Sequence, residues 1–344
     1  MRPLRVDRSQ LLWHRLRANH LADRLASGSF AAAAFAGLQD SAPRAALVSL
    51  YSRVKAVEDG DWEDPSLVQT WAPRGAVFVV PRSDLGVFAR GIVPRDLDVR
   101  RALDELGARA RRSVKEPRPK GKEAGALGTI SPVVAAGVAH GPLARLVFAM
   151  EGIQVRWDAR TTVVLPSPEP EIDDEDARRE LLRRFLHSLG PAGPLQFARW
   201  AAIGVEDAKA TFDVIEDELV PVDWPGGAGW LLAADGEQLS AATAVSGYRF
   251  VAFGGDPVLQ PGEDIVVPDR SFQRAALPRW ASLGLVLRDG RAVASWGRKA
   301  GRCTLFPFRP LHSEAEAAIE GEASQMPLRG SSMQVLWRRD LQHV

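Results

Sequence analysis

Apolar residues recur at helical spacing through the first two thirds of the chain and then give way to short runs separated by turns. The clearest helical stretch is DARRELLRRFLHSLG (176–190), where Leu181, Leu182, Phe185, Leu186 and Leu189 share one face and Gly190 and Pro191 end the pattern. Behind it, GPLQFARWAAIGVEDAKATFDVIEDELVPVDW (193–224) predicts a helix over about 194–201 and a turn at Ala202-Ile203-Gly204. A second helix follows over about 205–218, with Ala208, Phe212 and Ile215 inward. VPVDW and GWLLAA then predict a hairpin across PGGAG (225–229). Two helices joined by a glycine-containing turn and followed by a hairpin describe a helix-turn-helix with a wing.

The same order is written twice more upstream. In 131–165, Ser131 and Pro132 form an N-cap and first-turn pair, His140-Gly141-Pro142 breaks the helix, and Leu143–Met150 makes another. VRWDARTTVVL (155–165) reads as two strands about a tight turn. In 1–95 several helical stretches lead to TWAPRGAVFVVP (70–81), whose β-rich end lies between a glycine and a proline. A Gly-Pro pair opens a helix in two of these units (141–142 and 193–194), as expected of a structural repeat.

From about residue 245 the runs YRFVAFG, DIVVP, LGLVLRDGRAVASW and RCTLFPF are strand-like, and Asp289-Gly290 between alternating runs signals a hairpin. SEAEAAIEGEASQM (313–326) predicts a closing helix. The expected fold class is α+β: three tandem winged-helix domains followed by a C-terminal β-rich domain. The expected boundaries are 1–95 for the first winged helix, 96–128 for a basic helix or linker and 129–170 for the second winged helix. The third covers 171–240, and 241–344 forms the β-rich domain with its terminal helix.

A chain of 344 residues with 46% hydrophobic and 25% charged residues has room for two to four such units. One cysteine, Cys303, leaves no disulfide framework and suits a reducing cytoplasm. Charged residues interrupt the first thirty positions, and no later run approaches the roughly 18 apolar residues of a membrane span, so a soluble cytoplasmic protein is expected, without membrane contact.

Charge is unevenly placed. Between Arg100 and Lys122 stand nine basic residues (Arg100, Arg101, Arg109, Arg111, Arg112, Lys115, Arg118, Lys120, Lys122) against Asp104, Glu105 and Glu116. Such a block suits a phosphate backbone, and equally a solvated helix running into a linker. Arg156 and Arg160 in the second hairpin, and Arg298, Lys299 and Arg302 near the end, add further positive charge. The helix expected to read DNA in the third unit instead carries Glu206, Asp207, Asp213, Glu216, Asp217 and Glu218 against Lys209, the wrong sign for a major groove. Several units sharing one basic surface fit better than one motif in one groove.

The six histidines (His14, His20, His140, His187, His312, His343) match no metal-ligand spacing, and there is no G-x-S-x-G, S-x-x-K or phosphate loop. No metal and no cofactor are expected. GLQDSAP (37–43) is the remaining polar cluster. Ser41 or Asp40 ahead of Ala42-Pro43 is a good helix cap, and Gln39, Asp40 and Ser41 together are equally the make-up of a small active site.

LRANHL (16–21), GLQDSAPRAALVSLYSRV (37–54), LVQTWAPRGAVFVVPRSDL (67–85), AHGPLARL (139–146), residues 178–215 and LVLRDGRAVASW (285–296) together resemble the winged-helix family of bacterial DNA glycosylases that includes AlkZ and YcaQ (AlkX). The resemblance runs through most of the chain and weakens between about 245 and 280. It implies three winged helices and a β-domain around a basic channel, a double-stranded DNA partner carrying alkylated bases, and excision of N7-alkylpurines, including adducts within interstrand crosslinks. A monomer is the expected state.

The family motif, Gln-Φ-Gln or Gln-Φ-Asp, falls on Gln39-Asp40-Ser41. Gln39 is kept, Asp40 replaces the apolar residue and Ser41 replaces the second Gln or Asp. Where relatives carry R-G-T-x-H this chain has Arg74-Gly75-Ala76-Val77-Phe78. The implied catalytic residues are Gln39, Ser41 and Asp40. The expected DNA contacts are Arg74 and, from the basic clusters, Arg100, Arg101, Arg109, Arg111, Arg112, Lys115, Arg156, Arg160, Arg298 and Lys299. The implied alternative is a catalytically silent binder or self-resistance protein that recognises or sequesters alkylated DNA.

Overall fold

The computed structural model describes residues 2–119, 142–150, 152–158, 160–225, 227–252, 263–267, 283–299, 301–327 and 334–338. The helix expected from Ser131 and the stretch 120–128 lie outside the described residues. The chain is mixed α+β and begins with β1 (Leu4–Arg5) and α1 (Arg8–Ala18), the latter closed by a capping box between Asp7 and Gln10.

A first sheet follows: α2 (Phe30–Ala33), β2 (Leu38–Gln39), α3 (Ala45–Arg53), β3 (Leu67–Trp71), β4 (Val77–Pro81) and α4 (Leu85–Arg90). The short strand β2 lies on the free edge of the β3–β4 hairpin, giving the order β2-β4-β3. α5 (Leu97–Ser113), β5 (Arg118–Pro119), α6 (Pro142–Met150), β6 (Ile153–Trp157) and β7 (Thr162–Pro166) repeat the plan with the order β5-β7-β6. In the third occurrence, α7 (Asp174–Leu189), α8 (Pro194–Ala201) and α9 (Val205–Val214) precede β8 (Leu219–Trp224) and β9 (Gly227–Leu232). There the edge position is a single residue, Ala192, bridged to Trp230, and β1 covers the opposite edge by pairing parallel with β8. One edge of each of the first two hairpins, and both edges of the third, are thereby occupied by the chain's own backbone, which shortens the exposed template for aggregation.

The segment 96–128, expected as a basic helix or linker, contains a 17-residue helix capped by Asp96, and its apolar face (Leu103, Leu106, Ala110) is buried in the same core as Leu146, Phe148 and Met150 of α6. One expectation shifts. The third unit's second helix stops at Val214, and Glu216–Glu218 form a tight turn whose Glu218 accepts from Arg183 Nε (2.8 Å) and Nη2 (2.6 Å).

The remainder begins with α10 (Gly236–Ser240) and β10 (Tyr248–Val251), followed by α11 (Glu263–Val266), β11 (Leu283–Arg288) and β12 (Arg291–Lys299). β13 (Arg302–Pro307), α12 (Ser313–Ser324) and β14 (Gln334–Trp337) complete it. Five strands form one sheet in the order β10-β11-β12-β13-β14. Asp289 (φ 53°) and Gly290 (φ 83°) are both left-handed between β11 and β12, the conformation that a two-residue hairpin turn of this type requires. Asp264, Ile265 and Val266 of DIVVP, read as strand-like, lie in the short helix α11, because so short an apolar run has no periodicity to separate helix from strand.

The position of this sheet matters for function. All nine residues of α3 are buried, between the first unit's own strands and the C-terminal sheet. Tyr51 donates to Glu322 O (2.8 Å) from one side, and Ser52 Oγ donates to Phe250 O from the other. Among the described residues no helix is long and apolar enough to cross a membrane.

Candidate active site

Gln39, Asp40 and Ser41 lie on and just beyond an edge strand. β2 pairs antiparallel with β4 (Leu38↔Val79, Gln39↔Phe78), and the Asp40 N–H extends the ladder to Val77 O at 2.7 Å. Side chains alternate across a strand, so Leu38 and Asp40 face inward while Gln39 and Ser41 face out together. Leu38 is 0% and Asp40 1% exposed, Gln39 is half-buried and Ser41 is exposed. The shared face brings Gln39 Nε2 within 2.9 Å of Ser41 Oγ. Gly37 starts the strand with φ +75°, and an added Cβ would stand 2.9 Å from the Phe88 ring, so only glycine fits.

The cap is Asp40. Arg44, the residue before α3, is left-handed and its side chain makes no cap bond. Asp40 Oδ1 instead accepts the N–H of Ala46, six residues downstream (3.0 Å), and its Oδ2 accepts from Gln69 Nε2 (2.7 Å). Burial pushes its pKa up to about 6, while these bonds and the nearby Arg44 charge act to lower it. Above that pH it is a carboxylate whose two oxygens are both engaged by the protein.

Arg74 supplies the second constraint. It occupies the tight turn Pro73–Gly75 between β3 and β4, with φ 64°, and α6 braces that turn through Arg145 Nη1, which donates to Gly75 O (2.8 Å). Arg74 Nη2 donates to Gln39 Oε1 (2.7 Å) and Nη1 to Trp200 O (2.7 Å) at the C-terminal end of α8. Its guanidinium lies 5.9 Å from the Phe78 ring centroid, and burial lowers its pKa. Expected as a DNA contact, Arg74 has both terminal nitrogens on protein carbonyls. Phe78, at the place of the family's histidine, is a core residue at 2% exposure.

The other basic residues divide into two groups. Arg100 pairs with the buried Asp174 and approaches Asp104 (3.9 Å); Arg109 pairs with Glu105, Arg111 with Glu169 (3.0 Å), and Arg101 with Asp98 (3.6 Å). Arg156 pairs with Glu63 (2.5 Å) and lies over the Trp62 ring, whose face also receives Arg44 at 4.2 Å. Arg298 Nη2 donates to Pro43 O (3.2 Å), which brings the C-terminal sheet to the lip of the site. Arg112, Lys115, Arg160 and Lys299 are exposed, and no ion pair is seen for them among the described residues.

Gln69, Arg44 and Trp62 are not among the residues expected from the sequence. The signal for Gln69 was available: it is the one amide in VQTW, and a polar side chain in a strand buried on both faces must find partners. Among the described residues no group of three or more His, Cys, Asp or Glu side chains is placed to hold a metal ion. What the site offers is a fixed carbonyl oxygen, a neighbouring hydroxyl and a buried negative charge beneath them.

Comparison with known proteins places this geometry in a family. The model of the AlkZ-like DNA glycosylases matches residues 32–327. An interstrand DNA cross-link repair glycosylase of Streptomyces sahachiroi is 25% identical over the aligned region, which takes in 76% of this chain and 79% of that protein. The solved structure of the Streptomyces sahachiroi DNA glycosylase AlkZ superposes with a TM-score of 0.76 at 17% identity, covering 97% of this chain and 100% of that one.

Proposed function

This chain belongs to the AlkZ-like DNA glycosylase family, and we propose that it hydrolyses the N-glycosidic bond of alkylated purines, N7-alkylguanine foremost, using a water positioned by Gln39. The observation that carries the reading is the clamp on Gln39: its Oε1 accepts from Arg74 at 2.7 Å while its Nε2 donates to Ser41 at 2.9 Å. A carbonyl oxygen has two lone pairs, so one remains to accept from a water. N7-alkylation makes the base a cationic leaving group. As the bond from C1′ to N9 breaks, its electron pair neutralises the base, positive charge appears on the sugar, and the water oxygen bonds to C1′ and releases its proton to bulk solvent. Such a reaction needs a placed water and a stabilised cation more than a strong acid. The Asp40 carboxylate, one residue from both Gln39 and Ser41, supplies fixed negative charge without reaching solvent.

The motif and the helix after it (37–54) contain no lysine to form a Schiff base, which supports a monofunctional enzyme. The relative's description as an interstrand cross-link repair glycosylase supports extending the substrate to bulky and crosslinked adducts.

We read the three helix–hairpin units as winged helices followed by the β-domain, together forming a DNA channel that a monomer presents in the cytoplasm. The helix before the first hairpin is wholly buried, and the one before the third is acidic on its exposed side at Glu206 and Asp213. This favours contact through hairpins and helix flanks over a recognition helix in the major groove.

A second reading has its own observation. Ser41 stands where relatives place Gln or Asp, and both Asp40 oxygens are occupied. The motif itself then offers no free carboxylate to act as a base, as expected of a silent protein that binds or sequesters alkylated DNA. Duplex DNA carrying N7-methylguanine separates the two: release of the base and formation of abasic sites supports the enzyme, and tight, salt-sensitive binding without release supports the binder.

A further inference from the structure

Gln69 sits in β3, where every residue is buried, and is itself 7% exposed. Its amide makes three hydrogen bonds. Oε1 accepts the Trp157 N–H (2.7 Å), and Nε2 donates to Trp157 O (3.3 Å) and to Asp40 Oδ2 (2.7 Å). The orientation is forced. Turning the amide over would set its NH2 against the Trp157 N–H and its oxygen against the carboxylate.

We propose that Gln69 is a positioning residue of the glycosylase reaction, holding the Asp40 carboxylate as a hydrogen-bond acceptor beneath Gln39 and Ser41 and tying it to the 153–166 hairpin that carries Arg156 and Arg160. The proposal rests on the glycosylase reading given above. The groups acting on the carboxylate among the described residues are the Ala45 and Ala46 N–H groups from α3, Gln69 from β3 and the Arg44 charge from the intervening loop. Of these, Gln69 alone also belongs to a contact with the second hairpin. Its hydrogen bond to Oδ2 favours the ionised form of Asp40, so removing it moves ionisation to higher pH. Fixed negative charge near the sugar is then available over a narrower pH range.

The test uses the full chain with Gln69→Met and Gln69→Glu. The second is nearly isosteric and turns an acceptor toward the carboxylate. Two quantities are followed from pH 5 to 9: the single-turnover rate of N7-methylguanine release, and the thermal midpoint of each variant against the same variant carrying Asp40→Asn. The expected result is that the rising limb of the rate profile and the pH at which the stability difference changes both move upward, by about one unit in Gln69→Met and further in Gln69→Glu. A rate lowered by the same factor at every pH, with both transitions where the wild type has them, overturns the proposal. If the wild type releases no base, the glycosylase reading fails, and the stability profiles still decide whether Gln69 governs Asp40. Should Gln69→Met not fold, Gln69→Glu carries both measurements.

Discussion

Arg74 Nη2 stands 2.7 Å from Gln39 Oε1, and because a guanidinium has only donors, this bond fixes which end of the Gln39 amide faces it. The amide nitrogen is left to reach Ser41, and the second arm of Arg74 is anchored on Trp200 O. The orientation of the proposed catalytic carbonyl therefore depends on a residue from the β3–β4 turn and on the end of α8.

Replacing Arg74 by lysine keeps the charge and loses the two-armed geometry. Single-turnover base release is expected to fall by about 10- to 100-fold, the cost of misplacing a positioning group by about an ångström. Substrate affinity in a binding assay should change far less. An equal loss in both would point to a phosphate contact instead.

Asp40 gives a pH signature in stability. Its folded pKa of about 6 lies above the ordinary 3.8, so the folded state holds the proton more tightly. The resulting stability is fully present below about pH 3.8 and is lost as pH rises through about 6, amounting to about 3 kcal/mol over the window. Wild type and Asp40→Asn compared by urea unfolding between pH 4 and 8 should show the wild type losing ground as pH rises. A constant difference contradicts the assignment.

Gly37→Ala places a methyl group against Phe88 and Phe78 at a left-handed backbone position. A loss of about 1–3 kcal/mol is expected in chemical denaturation, the usual cost of strain of this kind.

The two groups of arginines should behave differently. Alanine at Arg112, Lys115, Arg160 or Lys299 is expected to leave folding intact and to reduce the slope of log K against log salt for DNA binding by about one each. Arg100→Ala removes a partner of the buried Asp174, so its main effect is expected in thermal stability.

Local signals carried much of this fold in the sequence. The apolar face of 176–190, the glycine turn before Val205 and Asp289-Gly290 each announce their element because the information lies within a few residues. The burial of α3 was hidden, since it depends on Phe250 and Glu322, some 198 and 271 positions away from their partners. GLQDSAP was half legible. Its composition suggested both a cap and a site, but the β alternation that sends Asp40 inward and Gln39 and Ser41 outward follows from pairing with Val77–Val79, which nothing inside the motif reveals. The partners of Arg100 and Arg111 on α5 were likewise hidden, because Asp174 and Glu169 come from a distant segment.

The central claim is that Gln39 positions the water that releases the alkylated base. Its most direct test is single-turnover release of N7-methylguanine from duplex DNA by the wild type and by Gln39→Ala, with DNA affinity measured alongside. Release by the wild type and a loss of about 100-fold or more in Gln39→Ala at nearly unchanged affinity are expected. No release by the wild type, or equal release by both, would contradict it.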